Sequence, residues 1–238
     1  LKLNAMTVPG RTLGEELEIA GSGFKQDVVR PFNNPIYPQG GIAVLAGNLA
    51  PNGAIIKQSA ADPKLMEHEG RAVVFENSED LVTRIDSDDL DVHADDILVL
   101  KNIGPKGAPG MPEAGYIPIP MKLARAGVKD MVRISDGRMS GTAFGTIVLH
   151  VTPEAAIGGT LAYVQTGDRI RLSVKNREIS LMVSDEELQS RRDKNPVETP
   201  TAKRGYLKLF LDTVTQAESG VDFDFLRSTE ANGKTPRS

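Results

Sequence analysis

Asp168-Arg169-Ile170-Arg171-Leu172-Ser173-Val174 is the stretch that decides the fold. Ile170, Leu172 and Val174 alternate with charged or polar neighbours. That two-residue period belongs to a strand with one face in a core and the other in water. Asn176-Arg177 fits a short turn into a second strand, Ile179-Ser180-Leu181-Met182-Val183. Upstream, short apolar runs bounded by glycine and polar residues repeat the theme. They are Gly41–Leu45, Gly53–Lys57, Ala72–Phe75, Ile97–Leu100, Met131–Ile134, Thr146–Val151 and Leu161–Val164. Nine short strands at such spacing predict a β-rich α+β chain, closed as a barrel or stacked as a sandwich, rather than a doubly wound sheet.

Helices are fewer. Thr12, with Glu15 three residues on, predicts a capping box ahead of Leu13–Leu17. Pro31, Pro35 and Pro38 then exclude regular structure. Glu79–Ile85 and Pro120–Ala126 read as crossover helices, the second stopped by Gly127. Ser184 and Glu187 form a second capping box. Arg204–Ser219 is the longest helical candidate, with Leu207, Phe210, Leu211 and Val214 on one face. The organisation expected is an arm over 1–40, a barrel with catalytic loops over 41–195, and a C-terminal helix and tail over 196–238. The tail beyond 228 is polar and expected to fray.

Composition narrows the function. The 238 residues carry a net charge of −4 with dispersed Lys and Arg, so no basic face is available for nucleic acid. No run reaches the length that spans a bilayer, and Leu1-Lys2-Leu3-Asn4 has no signal-peptide character. The first residue is Leu, not Met, which reads as a fragment or a processed product. There is no cysteine. That excludes a disulfide frame, a thiol nucleophile and a thiolate-held zinc or iron–sulfur centre within these residues; it is compatible with a cytoplasmic location.

Four segments stand out as richer in glycine than connectors need, or dense in charge. Gly47-Asn48-Leu49-Ala50-Pro51-Asn52-Gly53 reads as turn chemistry between two strands. Gly104-Pro105-Lys106-Gly107-Ala108-Pro109-Gly110-Met111-Pro112-Glu113 lacks the Gly-Lys-Ser/Thr ending of a phosphate loop. Its glycines allow a ligand close to the backbone, and Glu113 reads either as a surface residue or as one carboxylate of a magnesium site. Ser135-Asp136-Gly137-Arg138-Met139-Ser140-Gly141-Thr142 follows another strand and places a hydroxyl where an exposed nucleophile or base would stand. It is not a hydrolase elbow, and His150 reads as packed in its strand rather than paired with Ser140. The aspartates from Asp86 to Asp96 lack the calcium-loop pattern and read as a solvated linker; His68 and His93 show no ligand spacing.

The loops Gly104–Glu113 and Ser135–Gly141 resemble the two signatures of the dihydroxy-acid dehydratase/6-phosphogluconate dehydratase family. Gly40–Leu45, Gly47–Pro51 and Val151–Gly159 are similar to that family as well, in the same order. The resemblance implies the C-terminal domain of a longer enzyme, a β-barrel flanked by helices of the swivelling β/β/α type. It implies an N-terminal α/β domain of the same polypeptide as partner, whose cysteines hold a 2Fe-2S or 4Fe-4S cluster and which carries most of the magnesium ligands. A homodimer or homotetramer and a cytoplasmic location follow from it too. Gly115–Pro120 and the segment from Arg204-Gly205-Tyr206 to Asp222–Leu226 are similar to the sugar-acid branch, which acts on pentonates such as L-arabinonate or D-xylonate. The runner-up is the dihydroxy-acid dehydratase of branched-chain amino-acid synthesis.

Carried across, the resemblance implies a hydro-lyase that removes water from a 2,3-dihydroxy acid to give a 2-keto-3-deoxy acid. Ser140 is then the alkoxide base, Thr142 orients it or touches substrate, and Glu113 ligates Mg2+. The cluster iron takes the leaving hydroxyl. Arg138 binds the substrate carboxylate or supports its loop, while Lys106, Gly107 and Gly110 shape the pocket. The 238 residues alone are expected to be inactive. Two other classes remain: a sugar-acid binding module, and an oligomerisation domain without catalysis of its own.

Overall fold

The computed structural model describes residues 1–21 and 26–227. The tail over 228–238 therefore lies outside the described residues. The chain forms two compact units, Leu1–Gln39 and Gly40–Ser238. In the first, α1 (Leu13–Ala20) starts at Thr12, whose hydroxyl accepts from Glu15 N while Glu15 answers with its carboxylate on Thr12 N. The capping box is thus as read, and the helix runs a turn further than Leu17. No helix or strand follows among the described residues up to Gln39.

In the second unit eight strands close into a barrel. They are β1 (Ala43–Gly47), β2 (Ala50–Ile56), β3 (Glu67–Phe75), β4 (Ile97–Leu100), β5 (Arg133–Ser135), β6 (Ile147–Thr152), β7 (Arg169–Ser173) and β8 (Glu178–Leu181). Their order around the barrel is β1-β2-β6-β5-β4-β3-β7-β8. The pairs β3–β4, β4–β5 and β5–β6 are parallel, and β1 meets β8 in parallel through Ala46 and Glu178. The remaining pairs are antiparallel. Closure leaves no unpaired edge.

The alternation in β7 is realised: Ile170 and Leu172 are buried while Arg169 and Arg171 face water. With Leu45, Ile56, Val74, Val99, Ile134, Val148 and Ile179 they fill the interior. Strand β4 and the Ala72–Phe75 end of β3 are buried on both faces. Val73, Phe75, Leu98 and Leu100 pack outward against Leu81, Ile85, Ile103, Ile117 and Met131. The helix α2 (Ser78–Arg84), capped by Asn77, contributes Leu81 to this outer layer. A short α3 (Met121–Arg125) follows the long loop after β4, and Gly127 comes two residues after it at φ +92°.

Four expectations change. Leu161–Val164 is not a ninth strand but part of a 3-10 turn over Thr160–Tyr163. The eight-strand ladder is already closed, so a ninth has no edge to join. Its side chains instead plug the interior from one side, with Leu161, Tyr163 and Val164 all in the core. The helix expected from Arg204 to Ser219 stops early: α5 is Gly205–Thr213, and Val214 turns extended to bridge Phe223. The longest helix is instead α4 (Asp185–Lys194). Ser184 caps it by accepting from Glu187 N at 3.2 Å, but Glu187 spends its carboxylate on Arg191 at 2.8 Å, so only half of the second capping box forms. The acidic stretch is not simply solvated either. Arg71 grips Asp96, which is buried, together with Asp91, and Asp86 accepts from Met121 N.

Arg133 in β5 is the largest buried polar side chain. Its guanidinium pairs with Asp130 at 2.7 Å, donates to Ile117 O at 2.8 Å and lies over the Tyr116 ring. Removing one partner of a buried pair leaves the other charge unmatched. Arg133→Met is therefore expected to lower the unfolding free energy by about 3–5 kcal/mol, read from the midpoint of urea unfolding; a loss within error of zero would mean that Asp130 is rehydrated.

Candidate functional site

Parallel neighbours β4 and β5 release the chain at the same end of the barrel. The two glycine-rich segments are the loops that follow them, which is why segments 30 residues apart in sequence lie side by side. Open parallel strands characteristically present ligand-binding loops at their carboxyl ends.

Two buried carboxylates hold these loops. Asp136, directly after β5, accepts from Ile103 N at 3.0 Å and Ala155 N at 2.9 Å. Glu154 accepts from Lys106 N and Gly107 N, both at 2.9 Å, and from Gln216 Nε2 at 2.6 Å. Each carboxylate thus replaces water at backbone amides that would otherwise be buried unpaired. Burial pushes the Asp136 carboxyl up to about 6; the Ala155 and Ile103 amides oppose this and the nearby Glu154 charge adds to it. The tight approach needs Gly107, because a Cβ there would come within 2.7 Å of the Asn102 backbone. Gly110 stands at φ +87°, a left-handed conformation that glycine takes without strain.

Arg138 ties the loops to each other. Its Nε donates to Met111 O at 2.7 Å, its Nη1 to Glu113 Oε1 at 3.1 Å, and its carbonyl accepts from Gly115 N at 2.7 Å. Glu113 is half-exposed and its other oxygen has no partner among the described residues. Ser140 is half-buried, and its hydroxyl lies 3.0 Å from that of Thr142 and accepts from Thr142 N at 3.4 Å. The His150 ring is half-buried; burial first, and the Arg138 charge second, lower its pKa. Its ring has no hydrogen bond to Ser140 among the described residues, whose hydroxyl is engaged by Thr142.

The candidate residues do not all face one place. Gly107 lines a cavity of about 760 Å3 with Lys101, Asn102 and Arg191, and Ser140 and Glu113 do not line it. Gly110 lines a smaller apolar notch with Pro109, Tyr206, Leu207 and Phe210. Lys106 contributes its amide to Glu154. Asp136 and Glu154 have no role in the motif reading; in the sequence each is only a carboxylate set among small, loop-forming residues.

A family model described as Dihydroxy-acid/6-phosphogluconate dehydratase C-terminal matches residues 27–221. The chain belongs to this dehydratase family. It is 49% identical over 95% of its length to an L-arabonate dehydratase of Azospirillum brasilense, covering 40% of that protein. It is also 49% identical over 90% of its length to a 6-deoxy-6-sulfo-D-gluconate dehydratase of Pseudomonas putida, covering 37%. A dihydroxy-acid dehydratase of Dehalococcoides mccartyi is 41% identical over 94%, covering 40%. The chain spans about two fifths of the length of the curated relatives it matches.

With no cysteine in the chain, these residues do not fit an iron–sulfur cluster. Among the described residues no three His, Asp or Glu side chains gather to hold a metal ion. Glu113, with one oxygen on Arg138 and the other unengaged among the described residues, is an anionic oxygen donor of the kind hard cations take. No helix among the described residues is long and apolar enough to cross a membrane.

Asp136 also makes stability depend on pH. Its folded pKa of about 6 lies above the ordinary 3.8, so the folded state holds the proton more tightly. The resulting stabilisation is complete below pH 4 and is lost as pH rises through 6. A shift of this size corresponds to about 3 kcal/mol. Unfolding free energies measured from pH 4 to pH 7 are expected to fall more steeply in the wild type than in Asp136→Asn; parallel curves would remove Asp136 as the group responsible.

Proposed function

We propose that the chain is the C-terminal catalytic part of a hydro-lyase that dehydrates an aldonic acid, with pentonates such as L-arabinonate or D-xylonate first, to a 2-keto-3-deoxy acid. The observation that carries this reading is the tie through Arg138, which brings the Glu113 loop and the Ser140 loop to one end of the barrel. The sugar-acid preference is supported by the higher identity to the two sugar-acid enzymes than to the dihydroxy-acid enzyme.

In this reading Ser140 Oγ, as the alkoxide, takes the proton from C2 of the substrate, the 3-hydroxyl leaves as water with that proton, and the enol tautomerises to the keto acid. Thr142 keeps the Ser140 oxygen oriented through the 3.0 Å hydroxyl pair and its own amide. Arg138, committed to Met111 and Glu113, keeps the carboxylate in place rather than reaching for substrate. Glu113 would hold the magnesium, which when bound stabilises negative charge on the substrate carboxylate and 2-hydroxyl. The cysteines, most magnesium ligands and the cover that excludes water belong to the other three fifths of the polypeptide.

The test is keto-deoxy acid formation by the full-length protein, reconstituted with iron, sulfide and magnesium, on L-arabinonate, D-xylonate, D-gluconate and 2,3-dihydroxyisovalerate. A pentonate should be turned over fastest, and the 238-residue chain alone should give none. Fastest turnover of dihydroxyisovalerate would replace the sugar-acid reading with the branched-chain one. Ser140→Ala is expected to lower kcat roughly a hundred- to ten-thousand-fold, the range of a lost acid–base group. Glu113→Gln keeps an acceptor for Arg138 but loses the charge. It should raise the magnesium concentration for half-maximal activity on the order of tenfold or more; an unchanged requirement would remove Glu113 as a ligand.

A further inference from the structure

Lys57 follows β2 directly and starts the 3-10 turn Gln58–Ala60. This turn braces the Ser140 loop at two points. Ala60 O accepts from Gly145 N at 2.8 Å, and Lys57 Nζ donates to Gly141 O at 2.5 Å. Gly141 O and Thr142 N belong to one planar peptide group. The N–H of that group donates to Ser140 Oγ. An ammonium, one peptide unit and the Ser140 oxygen therefore form a continuous hydrogen-bonded chain. Hydrogen bonds in series polarise one another, so a cation on the carbonyl strengthens the N–H at the other end.

The other charges around this loop are already paired. Arg138 is matched by Glu113 and Arg133 by Asp130, which also accepts from Thr146. His150 is kept towards its neutral form. Lys57 has no carboxylate within ion-pair distance among the described residues, and its ammonium donates to Gly141 O. Its position at the end of a barrel strand makes it a fixed support, since β2 is locked between β1 and β6.

We infer that Lys57 is a positioning residue for Ser140, holding the Gly141–Thr142 peptide in place and relaying a positive charge through it to the serine oxygen. The inference rests on the reading of Ser140 as the base. A serine oxygen serves as a base only where its surroundings favour the anion, and a nearby cation is one way to achieve that. Substrate need not touch Lys57, so its loss should act on turnover rather than on binding.

The experiment compares Lys57→Gln, Lys57→Met and Lys57→Arg in the full-length protein, with Ser140→Ala alongside and folding checked by circular dichroism. Lys57→Gln keeps a donor for Gly141 O and removes the charge. It is expected to lower kcat about tenfold or more, equivalent to one pKa unit of lost stabilisation, with KM unchanged. Lys57→Arg should recover most of the rate, and Lys57→Met should fall at least as far as Lys57→Gln. Wild-type kcat in Lys57→Gln, or a defect confined to KM, would overturn the inference while Ser140→Ala remains inactive. If Lys57→Met fails to fold, the Gln and Arg variants decide alone: equal rates in the two overturn the relay of charge. Full activity in Ser140→Ala would overturn the reading of the base and this inference with it.

Discussion

The candidate site depends on two carboxylates placed where water cannot reach. A loop rich in glycine and proline has no ladder or helix to satisfy its amides, and Ile103, Lys106 and Gly107 would leave theirs buried without partners. Asp136 and Glu154 accept them. Both also reach a third segment, since Asp136 takes Ala155 N and Glu154 takes Gln216. The loop after β4, the loop after β5 and the turn after β6 are thereby fixed to one another by charge-assisted hydrogen bonds, which are roughly twice as strong as neutral ones. The cost is visible in Asp136, whose carboxyl is pushed up by burial despite two donated amides.

The barrel was legible because its signal is local. Alternation in Arg169–Ser173, uninterrupted apolar runs in Ile97–Leu100 and Ile147–Leu149, and glycine at the joints each report burial of a single strand. The ends of β2 and β5 move by two or three residues, because strand limits are set by pairing partners. Leu161–Val164 misled for the same reason: four apolar residues report burial but not geometry, and the closed ladder decides the geometry. Val214 left the helix for an equally non-local cause, the bridge to Phe223. Helix starts at Thr12 and Ser184 were legible because each cap acts on amides within one turn.

The candidate site divides along the same line. Ser140, Thr142, Glu113 and Arg138 stood out by motif, and the structure shows Arg138 joining Glu113 and Met111 to the loop that carries Ser140. What a motif does not carry is the partner of each group. Nothing in the spacing of Lys57 and Gly141 reports a contact 84 residues apart. Nor does it report that Gly107 lines a cavity that Ser140 does not. Pairing of this kind follows from the strand order β2-β6-β5-β4, which no window of sequence contains.

The exposure of the site bears on its chemistry. Arg138 and Glu113 are both near half-exposed, and an ion pair in that setting contributes little to stability. Its value is geometric, holding a carboxylate at the rim. A serine in contact with bulk water is a poor base, because water competes for its oxygen and screens the charges that would favour the anion. The barrel therefore supplies orientation: Ser140 against Thr142, Glu113 against Arg138, both on loops locked from beneath. On the proposed reading, excluding water must come from the surface that covers this end of the barrel. Only beneath such a cover do the lysine, the peptide dipole and the carboxylate act at low dielectric, where each is worth several times its value in water. A rigid half-site that is inert until covered confines the chemistry to the assembled enzyme, because neither the orientation nor the desolvation suffices alone.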